Sequence, residues 1–170
     1  MTGPESAIVV FGEKVAQAGS LVRAFCPLPS HAYVELFGGA LAFSELEIEG
    51  IDGYGLAMAM WGSQWGDLEL QMLQKERRTL EYEFISMNAP ITAGLARIAA
   101  VNRPLNFAMS GIADDGTWCG GSYATNGELI KSYEIEVTEP FTDDGLPDWV
   151  HRVGEIIHEA VLEKMRRHEQ

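Results

Sequence analysis

Cysteine is scarce: 170 residues contain only Cys26 and Cys119. Two are too few for a disulfide-stapled scaffold, and they lack the Cys-x-x-Cys spacing of a redox or zinc knuckle. Positive charge is scarce as well. Twelve lysines and arginines stand against 25 aspartates and glutamates, a formal charge of -13, and such a field repels phosphate backbones and anionic lipid. Tight nucleic-acid binding is therefore not expected. No stretch nears the roughly 18 uninterrupted apolar residues that a membrane-spanning helix needs. The first five residues, Met1-Thr-Gly-Pro-Glu5, have no basic segment feeding an apolar run, so neither a signal peptide nor a membrane partner is expected. A cytoplasmic protein is the expectation these absences leave.

The length and a hydrophobic share of 46% favour one domain with its own core. Ala7 to Phe11 reads as a short strand, and 13–25 as a helix weakened by Gly19. Five short segments then follow at 31–37, 41–49, 55–61, 65–73 and 80–85, several alternating apolar with polar residues. Their joints, such as Phe37-Gly-Gly39 and Trp61-Gly-Ser-Gln-Trp65-Gly66, suit tight bends. They are too short for parallel crossovers, so the strands should be antiparallel. A short helix is expected over 88–100, with Asn88 as its cap and Pro90 in its first turn. Strands return at 105–110, 117–123 and 130–137, the first two joined by Asp114-Asp-Gly116, a strong hairpin turn. Beyond a turn at 142–147 lies a helix over 148–167, where Val150, Val153, Ile157, Val161 and Met165 recur at helical spacing. The expected fold class is α+β: an antiparallel β-sandwich or partly closed barrel, with a short internal helix and a long C-terminal helix packed on it. Residues 1–140 would form the β-rich domain, and 141–170 an amphipathic helix of the same domain.

Carboxylates recur at alternate positions. Glu45, Glu47 and Glu49 share one face of their segment, as do Asp67 and Glu69, Glu81 and Glu83, and Glu134 and Glu136. A solvated sheet face is the plain reading. The functional readings are an electronegative wall that repels DNA, or a surface that imitates nucleic acid to occupy a basic protein. Met58, Met60, Trp61, Trp65 and Met72 concentrate soft and aromatic mass in neighbouring segments, which suits a core, a subunit interface or the lining of a ligand cavity.

No catalytic constellation emerges, and no cofactor or metal is implied. His151, Glu155 and His158 can line one stripe of the last helix, but a bundle di-metal site needs matching ligands on other helices. Cys119-Gly-Gly-Ser122 lacks the Gly-Lys-Ser/Thr of a phosphate loop. Ser122 sits in no Gly-x-Ser-x-Gly elbow and finds only His31 as a distant candidate base. Cys26 and Cys119 read as buried thiols rather than nucleophiles.

From Leu68 onward the order of features resembles the tail-tube proteins of long-tailed bacteriophages. The pieces are the amphipathic strand ending Glu81-Tyr-Glu-Phe-Ile-Ser86, the helix 88–100, the segment Leu105-Asn-Phe-Ala-Met-Ser110, the turn Asp114-Asp-Gly116 and the strand Tyr133-Glu-Ile-Glu-Val137. The resemblance implies a β-sandwich or barrel-like subunit stacked in rings around a DNA conduit, located in a virion, with an acidic face towards the lumen. The helix 148–167 is an element this pattern lacks. The expectation that combines these readings is a non-catalytic structural protein of a homo-oligomeric or larger assembly. The alternatives are a small-molecule-binding module with an apolar pocket, and an acidic inhibitor that mimics nucleic acid.

Overall fold

A computed structural model describes residues 1–35, 41–43, 51–87, 89–113 and 118–136. The chain opens with helix α1, Glu5–Ala18, where a strand was expected over its first half. Ile8, Val9, Val10 and Phe11 are a strand-forming run by residue type, yet burial follows the helical period. Ile8, Phe11 and Val15 are buried while Val10 is 62% exposed, so tertiary packing overrides β-branched propensity. Pro4 sets a helix-compatible φ at the entry and Glu5 lies at the positive end of the dipole. Gly19, at φ 65, stops the helix by adopting the left-handed conformation and donating its N–H to the Val15 carbonyl. The expected 13–25 helix is therefore two: α1, and after Ser20 the single-turn α2, Leu21–Phe25.

A 3-10 turn at Ser30–Ala32 leads into strand β1, Tyr33–Glu35, which pairs antiparallel with β2, Leu41–Phe43. The expected strand at 55–61 is instead helix α3, Gly53–Trp61. Asp52 caps it by accepting the Gly55 N–H at 2.6 Å, and Gly62 closes it. Its sequence is apolar throughout and carries no period for a reading by alternation; Gly53, Ala57 and Trp61 form the buried stripe.

Strands β3, Leu68–Glu76, and β4, Thr79–Ile85, make an antiparallel hairpin. Helix α4, Thr92–Val101, follows, close to the expected 88–100 although it starts after Pro90. A three-stranded antiparallel sheet in the order β5-β6-β7 completes the described chain, with β5 Phe107–Ile112, β6 Trp118–Thr125 and β7 Glu128–Glu136.

These sheets are small and open, and the sandwich or barrel expectation is overturned. Two or three strands per sheet cannot close on themselves, and helices rather than a second sheet face supply the core. The long C-terminal helix expected over 148–167, and with it 141–170 as a unit, lies outside the described residues.

The core gathers Phe11, Val15, Val22, Trp61, Leu80, Ile98, Leu105 and Phe107. Phe11 stacks on Phe25 with ring centroids 4.6 Å apart and meets Phe107 at 5.6 Å. Gly94 lets α4 cross close over α2 and α3, since a Cβ there would lie 2.9 Å from a Val22 methyl and 3.3 Å from the Trp61 carbonyl. The first residues join two sheets. Thr2 bridges to both Thr79 and Asn106, while Leu80 donates its N–H to the Met1 carbonyl and the Met1 amine donates to the Leu80 carbonyl at 2.8 Å. Burial pushes that amine down to about 6, against the opposing pull of Glu81.

Candidate functional site

The feature that stands apart from this packing is the β3–β4 hairpin, and its geometry follows from the register. On β4, Leu80 is fully buried and Tyr82 and Phe84 pack half-buried against the core. Alternation therefore assigns these three to the inner face and Glu81, Glu83 and Ile85 to the outer. Burial raises the Tyr82 hydroxyl above its ordinary pKa, as expected of a ring tucked under a sheet. On β3, Lys75 stands opposite Leu80 and Met72 opposite Tyr82, placing both on the inner face, while Gln71 and Gln74 stand opposite Glu83 and Glu81 on the outer. The core nevertheless stops beneath β4. Met72 is 52% exposed and Leu73 55%, and every residue from Gln71 to Glu76 is exposed. Strand β3 overhangs the body.

Both ends of that overhang are fastened. At its start, Asp67 is buried and its carboxylate accepts the Ser20 hydroxyl at 2.8 Å and the Leu21 and Val22 N–H groups at 2.6 and 3.0 Å. One carboxylate thus satisfies the free donors at the start of α2 and ties them to the first residue before β3. At the far end, the Arg77 guanidinium meets the Glu5 carboxylate at 2.6 Å, Arg78 donates to the Gly3 carbonyl at 3.2 Å, and Gly3 donates back to the Arg78 carbonyl. Between these anchors the outer edge of β3 has no strand beside it among the described residues. Two irregularities interrupt its pairing with β4, one between Leu68 and Gln71 and one between Met72 and Gln74, and Glu69 in the first has a left-handed φ of 50.

The acidic pattern expected from alternation divides three ways. Asp67 leaves it: the residue is a buried cap and shares no solvated face with the exposed Glu69, because the irregular backbone breaks the period between them. Glu81 and Glu83 do lie on one face of β4, half-buried and exposed respectively. Glu134 and Glu136 sit at alternate positions of β7, opposite Gly120 and Trp118. Glu45, Glu47 and Glu49 lie outside the described residues.

The five soft and aromatic residues are likewise dispersed. Trp61 is 1% exposed in the core, and its indole N–H donates to the Cys26 carbonyl at 2.8 Å. Met58 and Met60 are half-buried on α3, and Trp65 is half-buried in the loop that follows. Met72 is on the overhang, 52% exposed. A shallow depression of about 300 Å³ opens elsewhere, between α1 and the end of α4, lined by Ser6, Val10, Val101, Asn102, Pro104 and Leu105.

Among the nucleophile candidates, Ser122 is buried with its hydroxyl 3.0 Å from that of Ser132 across the sheet. Burial raises the Cys26 thiol, with Arg97 opposing, which leaves it a poor nucleophile. His31 falls in the 3-10 turn and Cys119 on β6; their side chains are outside the description, as are His151, Glu155 and His158 altogether. No group of three or more histidine, cysteine or acidic side chains suited to a metal occurs among the described residues. No helix there is long and apolar enough to cross a membrane.

Sequence reasoning missed Leu73 and the overhang. The strand was expected to end at 73, and residue type alone does not say where a core ends. The signal available was the pair Arg77-Arg78, polar turn residues that place the bend beyond Glu76. No protein-family model, curated protein or solved structure matches the chain.

Proposed function

We propose that this protein is a non-catalytic structural subunit of a homo-oligomeric assembly, joined through the β3–β4 hairpin. The observation that carries this reading is the overhang. A strand anchored at both ends by Asp67 and by Arg77 and Arg78 presents an edge with no strand beside it among the described residues and two largely exposed apolar side chains, Met72 and Leu73. Monomeric proteins ordinarily cover or shorten such edges, and a two-stranded hairpin with a bare face is stabilised by further strands. Ile85, on the outer face of β4, and Met87, just beyond it, are each more than 40% exposed as well.

A subunit role also accords with the hydrogen bond that engages Ser122 with Ser132 and with the burial of Cys26. The resemblance to tail-tube subunits belongs to the same class of function, with Glu81, Glu83, Glu134 and Glu136 as the carboxylates available for a DNA-repelling face; Asp67 contributes nothing to it. The test is light scattering coupled to size-exclusion chromatography across a wide concentration range. Discrete species larger than the 18.7 kDa chain, growing with concentration, are the expected result. A monomer at every concentration overturns the reading.

A further inference from the structure

Resting on the proposal that the hairpin joins subunits, we infer that its partner is β3 of a second copy, paired antiparallel about a two-fold axis through Met72. The inference comes from the ladder. Met72 faces Tyr82, and one step towards either end brings Gln71, facing Glu83, and Gln74, facing Glu81. A second step brings Lys75, facing Leu80, on one side; on the other it brings Glu69 and Leu70, the irregular pair between the Gln71 and Leu68 positions. A rotation about Met72 therefore sets Gln71 of each copy against Gln74 of the other, and the irregular Glu69-Leu70 pair of each against Lys75 of the other, with Leu70 on the core side and the exposed Glu69 carboxylate the charge within reach of the Lys75 amine. Two amide pairs and two opposite-charge pairs result, each of a kind that stabilises adjacent strands.

The operation also preserves the faces. Met72 and Lys75 are inner-face residues and Gln71 and Gln74 outer-face residues in both copies, so inner side chains meet inner ones, as a continuous sheet requires. The irregularities fall one on either side of the axis and their extra residues offset each other in the count. The product is a four-stranded sheet in the order β4-β3-β3-β4, in which each Met72 covers the other. The same patch serves on both subunits, as closed two-fold interfaces require. Charge selects the same place. Two copies at -13 each repel, and this axis crosses the chain where Gln71, Met72, Leu73 and Gln74 carry no charge, with acidic residues (Asp67, Glu69) before them and mainly basic ones (Lys75, Arg77, Arg78) after.

Cysteine crosslinking of the full-length chain tests the geometry. Only the residue on the axis can bond to its own counterpart, so Met72→Cys should give a covalent dimer under mild oxidation. Gln71→Cys and Gln74→Cys should each remain uncrosslinked alone and crosslink when mixed; the unmodified chain is the control for Cys26 and Cys119. Glu69→Lys and Lys75→Glu should each weaken dimerisation about tenfold, and the double variant Glu69→Lys/Lys75→Glu should recover it. An oligomer that persists while Met72→Cys fails to crosslink, or while the double variant fails to recover, overturns the β3–β3 register and leaves the assembly reading standing. A monomer under all conditions removes both.

Discussion

The two ends of β3 and its middle obey different rules. Around Asp67, a buried carboxylate, the start of α2, the Trp61 indole and the Cys26 carbonyl form a set in which buried polar groups meet partners at 2.6 to 3.0 Å. A few residues later Met72 and Leu73 are more than half exposed over no core at all. One region uses its side chains to fix the fold, and the other leaves them exposed. The contrast teaches that exposure of an apolar residue means most where the backbone beneath it is held, because a held edge meets a partner without first being ordered.

The largest blow to that contrast should come from Asp67→Ala. It strands the Ser20 hydroxyl and two buried N–H groups at once and should cost about 3 to 4 kcal/mol in urea unfolding; a loss below about 1 kcal/mol would mean that solvent reaches the start of α2. Next is pH, acting at the seam between the hairpin and the body. The Met1 amine lies at about 6 in the folded chain against 8.0 for the free group. The unfolded chain therefore binds the proton more tightly, and stability should rise as pH goes from 6 to 8. The gain is at most about 2.7 kcal/mol, and a denaturation midpoint that is flat or falls across that window would refute it.

Trp61→Phe removes the donor to the Cys26 carbonyl and shrinks a fully buried ring, for an expected loss of about 2 kcal/mol by thermal or chemical unfolding. The smallest effect on stability sharpens the other side. Met72→Ser should change the unfolding free energy of the monomer by less than about 0.5 kcal/mol while reducing the oligomeric fraction seen by light scattering. A large loss of monomer stability would instead make Met72 part of the core.

Much of the strand order was legible. Strands β5 and β6 pair antiparallel on either side of Asp114-Asp-Gly116, residues that lie outside the described ones, and β4 lies within a residue of 80–85. Reading by type failed in the apolar stretches. Ile8 to Phe11 and Gly53 to Trp61 are each compatible with a buried strand or a helix, and the caps decide between them: Pro4 and Gly19 for α1, Asp52 and Gly62 for α3. Of the candidate site residues, Met72 was singled out but for a pocket, and Asp67 for an acidic face that it does not join.

Composition and order by themselves determined the net charge of -13 and the antiparallel pairing of strands joined by short connections, because these depend on residue type and local chain geometry. Only the tertiary structure decided that Asp67 is a buried cap, that Thr2 joins two sheets, and that β3 runs past the edge of the core. Each of these depends on residues 45 to 104 positions apart in the chain or on where apolar volume runs out, and no local pattern encodes either.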